Sequence, residues 1–183
     1  MKNYILLLCC FLVIACNDDV QIKPNAKLRL EYPAPVYKKV VTDCAYDFDV
    51  NKLARVIKTK NCGTRLSYPS MNAAVYITYQ KVRNNNLNSL LYDAQKLAYN
   101  HDRVAISIPE KLFENKDHNT YGVFYSINGD AASQSHFYLT DSLQNFVTGS
   151  LYFDVKPNFD SIYPAVVYLR RDIMHLMETL EWK

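Results

Sequence analysis

The chain has 183 residues, 21 basic against 18 acidic side chains, 49% hydrophobic content and 15 tyrosines. That length suits one domain with a sizeable apolar core. So close a charge balance argues against a nucleic-acid binder or a protein held to membranes by charge alone, and four glycines are too few for a phosphate-cradling loop.

Lys2 and the apolar run Tyr4 to Ile14 have the charge and length of a signal peptide, too short to cross a hydrocarbon core of about 30 Å comfortably as a helix. The run closes on Val13-Ile14-Ala15-Cys16, which fits a bacterial lipobox. In that motif the cysteine is acylated, with palmitate-type chains, and becomes the new N-terminus. Residues 1–15 therefore read as a lipoprotein signal peptide, 16–31 as the lipidated end and a flexible tether, and 32–183 as one globular domain. A flexible tether of this length reaches about 20 Å root-mean-square, so the domain stays near its membrane. Asp18 and Asp19 read either as a sorting signal or as solvated linker.

Tyr32-Pro33-Ala34-Pro35-Val36-Tyr37 is a proline-stiffened entry to the domain. Ala45 to Val50 reads as a strand with Tyr46, Phe48 and Val50 inward. Cys44 and Cys62 bracket that strand and the basic stretch after it. Outside the cytoplasm they either form a disulfide or stay as two buried thiols, and two isolated cysteines cannot fill a zinc shell. Ala73 to Val82 alternates, with Val75, Ile77 and Tyr79 on one face. Asn84-Asn85-Asn86 offers side-chain caps for a helix from Leu87 to about Asn100, with Leu87, Leu90, Leu91, Ala94, Leu97 and Ala98 as its buried stripe. Val104, Ile106 and Ile108 mark another strand, and Glu110 to Thr120 reads as a mobile surface loop.

The block from Tyr121 to Phe153 holds three of the four glycines and organises the rest. Asn128-Gly129 between alternating runs signals a tight hairpin. On this reading Val123, Tyr125 and Ile127 share the core face with Phe137 and Leu139, and Leu151, Phe153 and Val155 extend it from a third strand. Phe124, His136, Tyr138, Thr140, Tyr152 and Asp154 then fall on the opposite face. Asp141 to Thr148 reads as a short helix with Gly149 allowing the exit. Ser161 to Glu181 is the last helix, with Pro164 in its first turn and Val166, Leu169, Ile173, Leu176 and Leu180 as its buried stripe. Arg170, Arg171, Glu178 and Glu181 then lie in water, and Asp172 with His175 is an exposed i,i+3 pair.

The segments Ala132-Ser133, Phe137-Tyr138-Leu139-Thr140-Asp141-Ser142 and Gly149-Ser150-Leu151-Tyr152-Phe153 resemble the gliding-motility lipoproteins of the GldD family. The likeness continues through Pro157-Asn158-Phe159-Asp160-Ser161, Asp172-Ile173-Met174-His175-Leu176 and Glu178-Thr179-Leu180-Glu181-Trp182, and is collinear over nearly the whole mature chain. At Pro33-Ala34-Pro35-Val36-Tyr37 the chain has Val36 where the family pattern has glycine. A cysteine at each of the positions of Cys44 and Cys62 belongs to the resemblance, which favours their bridging. The resemblance implies a non-catalytic envelope lipoprotein of Bacteroidota required for gliding, accessory to machinery tied to type IX secretion. Its partners are then the membrane, through the lipid, and other gliding proteins, with the domain in the periplasm and no cofactor.

Chemistry is sparse in the residues themselves. His136, Asp141 and Ser142 are close in sequence, but no nucleophile elbow surrounds Ser142, and strand and capping roles account for all of them. The histidines are dispersed without metal-ligand spacing. The element order implies an α+β fold, an antiparallel sheet flanked by helices, with a pattern similar to the PsbP/Mog1-like α-β-α sandwich. Tyr138 and Tyr152, with the Asp141-Ser142 corner, are the candidate partner-binding residues, since a tyrosine presents a large apolar ring with a polar tip. A lipid-tethered binder of small ligands is the alternative.

Overall fold

The computed structural model describes residues 30–183; the expected signal peptide, Cys16 and most of the tether lie outside them. The fold is α+β, built on antiparallel pairing throughout. A seven-stranded sheet has the order β3 (Arg55–Lys58), β4 (Thr64–Tyr68), β5 (Ala73–Lys81), β11 (Asn145–Phe153), β10 (Ser133–Thr140), β8 (Thr120–Ser126) and β7 (Glu110–Asn115). A small sheet joins β1 (Tyr37–Val40), β2 (Tyr46–Asn51) and β12 (Glu181–Trp182), and β6 (Ala105–Ser107) pairs with β9 (Asn128–Gly129).

One helix lies on each face of the large sheet. On one side α2 (Phe159–Thr179) and strand β2 close the main core, in which Val75, Phe137, Leu139, Val147 and Leu151 meet Tyr46, Phe48, Leu169, Ile173 and Leu176. The alternation of β2 and β5 and the stripe of α2 put these side chains inward as their periodicity requires. On the other side α1 (Leu87–Tyr99) places Leu90 and Ala94 over Phe146, and Ala98 over Val123 and Tyr125. The chain thus ends in a hairpin, a strand and a long helix, followed by the short strand β12.

Several expectations give way to longer-range pairing. The register sets Phe124 opposite Phe137 and Val123 opposite Tyr138. Opposed residues share a face, so Phe124 joins Phe137 and Leu139 in the main core while Val123 and Tyr125 turn toward α1. The hairpin is closed by Ile127 N–H to Gln134 C=O, and Asn128-Gly129 is no two-residue turn: it pairs with β6, which glycine permits at φ +127°. Val104 and Ile106 are exposed, not inward, because β6 is only a short pairing at the rim. The stretch Glu110 to Thr120 is no loop: β7 occupies Glu110–Asn115 as an edge strand, and only the turn to β8 is irregular.

No helix follows Asp141. The Asp141 carboxylate binds the next backbone amides in a tight turn, Ser142 takes φ +64°, and Phe146 and Val147 are drawn into β11 between β5 and β10. The asparagines before α1 do not cap it with side chains: Asn84 and Asn85 adopt left-handed φ, and the Asn86 side chain accepts from Arg83 N–H. Leu97 of the expected stripe is exposed. Helix α2 begins at Phe159, with Asn158 accepting from Ser161 N–H, so Pro164 falls in its second turn, inside the helix.

Two charged residues of α2 leave the surface. Arg170 is half-buried and donates to Ile127 C=O, Gln134 C=O and the Asn128 side chain, which fastens the hairpin loop to the helix. Asp172 does not pair with His175 in solvent: it is buried and accepts from Tyr37, Asn51 and Tyr68, while Tyr168 accepts from Asn51. His175 stacks on Tyr37 and faces Asp49 across 3.5 Å. Glu181 pairs with Lys39 at 2.6 Å. Cys44 and Cys62 are joined, with Cα atoms 5.7 Å apart, which ties the start of β2 to the turn before β4.

Candidate functional site

The sheet face beneath α1 carries the residues that the sequence singles out. Alternation along β10 and β11 sends His136, Tyr138, Thr140, Phe146, Ser150 and Tyr152 to this side. Helix α1 covers the middle, and His101, just beyond its end, stacks on His136 with ring centroids 5.5 Å apart. Two grooves remain on the face and share no lining residue.

The first groove, of about 570 Å³, runs between α1 and the β7 edge. Tyr138 forms its floor, stacked on Phe146 at 5.5 Å, with Leu87 and Leu91 on the helix side and Leu112 and Val123 on the strand side. Leu112 is 81% exposed at the rim, and Tyr121 and Leu143 are exposed close by. The cleft is lined mainly by apolar side chains, with a solvent-facing leucine at its rim.

The Asp141-Ser142 corner borders this groove, but its carboxylate is turned inward. Oδ1 accepts from the amides of Leu143, Gln144 and Asn145 at 2.8–2.9 Å, and Oδ2 from the Asn145 side chain at 2.7 Å. Burial works to raise its pKa, yet these bonds outweigh burial and hold the carboxyl below its ordinary range. Asp141 therefore shapes the corner, and Ser142, whose N–H binds Thr140 Oγ1, presents the turn to the groove.

Tyr152 stands apart, in a second groove of about 550 Å³ at the β4–β5 end of the face. It meets Tyr76 edge-on at 5.8 Å, and the Arg65 guanidinium lies over the Tyr76 ring at 5.3 Å from its centroid. Asp154 shares this groove, as its position two residues after Tyr152 requires.

The His136, Asp141 and Ser142 set does not assemble. His136 is five residues up β10 from Asp141, about 16 Å at strand rise. Its Nδ1 instead lies 2.6 Å from the Ser150 hydroxyl, a cross-strand pair buried beneath His101 and Tyr152. Burial, and secondarily the neighbouring His101 ring, pulls the His136 pKa down to about 4. Among the described residues no cluster of histidine, cysteine or acidic side chains could hold a metal ion.

Comparison with known proteins decides the family. A family model described as "Gliding motility lipoprotein GldD" matches residues 17–182. The chain belongs to this family. No curated protein matches it. Among the described residues no helix is long and apolar enough to cross a membrane. In this GldD chain most of the motif residues build the fold: Phe137, Leu139 and Leu151 fill the core and Asp141 caps a turn, while Tyr138 and Tyr152 reach the two grooves. The sequence reading missed Arg65, Tyr76 and Leu112. Arg65 and Tyr76 meet only through the β4–β5 register, and Leu112 lay in a stretch read as loop.

Proposed function

We propose that this GldD-family protein is a non-catalytic accessory lipoprotein of gliding motility. It is anchored through an acyl chain on Cys16, holds its domain in the periplasm, and docks another envelope protein of the gliding and type IX secretion machinery in the groove above Tyr138. The family match over residues 17–182 carries this reading. The groove supports it, because Leu112, Tyr121 and Leu143 expose apolar surface beside a preformed cleft. A deletion strain is complemented with the wild type or with Leu112→Asp, a change at an exposed position that leaves the core intact. The expected result is a variant of normal abundance that fails to restore spreading and loses the proteins co-purified with the wild type. Normal gliding of the deletion strain overturns the function, and full complementation by the variant overturns the docking groove.

A further inference from the structure

Helix α1 packs over the β8, β10 and β11 part of the sheet and leaves β3, β4 and the outer side of β5 without a cover. On that open face the register aligns Arg65 with Tyr76 and Ser150, and Ser67 with Ala74, which lies opposite Tyr152. The result is the second groove, with two tyrosine rings set edge to face and one guanidinium lying on an aromatic plane. Tyr76 is 42% exposed. Among the described residues Arg65 has no ion-pair partner, and its Nε is buried without a hydrogen-bond partner. The other polar groups at the rim are the Ser67 hydroxyl, the Asn72 amide and the Asp154 carboxylate.

We infer that this groove binds a segment of an acidic saccharide. The C–H edges of pyranose rings meet the parts of the Tyr76 and Tyr152 rings that Arg65 and the edge-to-face contact leave open, where the partly negative aromatic surface attracts them. A carboxylate on the saccharide takes the free edge of the Arg65 guanidinium, which cation–π contact with Tyr76 holds in place. Ser67, Asn72 and Asp154 satisfy hydroxyls, Asp154 as an acceptor. The shallow, open form of the groove suits a stretch of polymer more than an enclosed small metabolite. Charge alone would favour any acidic chain, but a stacking floor with hydroxyl-matching groups selects a ring-bearing one.

The full-length protein in detergent micelles is titrated calorimetrically with oligogalacturonate, a neutral glucan oligomer of equal length, and oligoglutamate. Oligogalacturonate is expected to bind best, the neutral glucan more weakly, and oligoglutamate not measurably. Arg65→Gln should weaken oligogalacturonate by about tenfold or more, to the level of the neutral glucan, with an unchanged melting temperature. Tyr76→Ala should weaken both sugars, with its melting temperature measured alongside to check that the fold is kept. Absence of oligogalacturonate binding, or binding indifferent to Arg65→Gln, overturns the site. Oligoglutamate binding as tight as the uronate overturns the saccharide assignment. The readout is independent of gliding, so its failure leaves the docking proposal standing, and the reverse.

Discussion

Gly149 sits directly opposite Phe137 across the β10–β11 pair, and a methyl group added at Gly149 would stand 2.1 Å from the ring of Phe137. The ring is 2% exposed and packed in the main core, so shifting it disturbs its buried neighbours. Gly149→Ala is expected to destabilise the domain by about 1–3 kcal/mol, the usual cost of overpacking. Urea unfolding checks it, and a midpoint equal to the wild type refutes the close-packing account.

His136 gives the domain an acid sensitivity. In the unfolded chain the imidazole takes its proton near pH 6.5, in the folded protein only near 4. The unfolded state therefore binds more protons between those values, and stability present above pH 6.5 is lost as pH falls toward 4. The loss from this group is about 3 kcal/mol. Chemical unfolding of wild type and His136→Gln across pH 4–7 should show a steeper slope in the wild type over that window.

The bond between Cys44 and Cys62 closes a loop with a sequence separation of 18. Its reduction should lower stability by about 3 kcal/mol on the loop-entropy argument. Non-reducing peptide mass spectrometry of protein isolated from the envelope checks the bond itself. Recovery of both cysteines alkylated without prior reduction contradicts it.

Cys16→Ser should abolish incorporation of a labelled fatty acid and leave precursor or mislocalised protein. Among the described residues no helix is long and apolar enough to replace the lipid as an anchor. Undiminished labelling of the variant rules out Cys16 as the acylated residue.

The parts of the fold that were legible in the sequence are those whose pattern is local and long. Val75 and Ile77 of β5, Tyr46 and Phe48 of β2 and the stripe of α2 announce their inner faces by period alone. The parts that were not legible depend on partners far along the chain. Residues 145–148 became strand because β5 and β10 flank them, although a capping aspartate precedes them. Arg170 has the spacing of a surface residue, but the hairpin loop holds carbonyls that need donors, and the arginine supplies them. The candidate site was half legible: Tyr138 and Tyr152 do share a face, yet His101 on His136 separates them into different grooves. Arg65 was hidden because its meaning comes from Tyr76 on the neighbouring strand.

The small sheet has a consequence for the order of synthesis. Its middle strand, β2, needs β1 from just upstream and β12 from the far end, with Trp182 opposite Tyr46 and the Lys183 side chain on Thr42 C=O across 141 residues. Helix α2, which closes the main core over β2, also comes late. A chain still emerging from a ribosome lacks the pieces that complete the small sheet and close the main core. Closure of the small sheet and of the main core thus waits on α2 and β12.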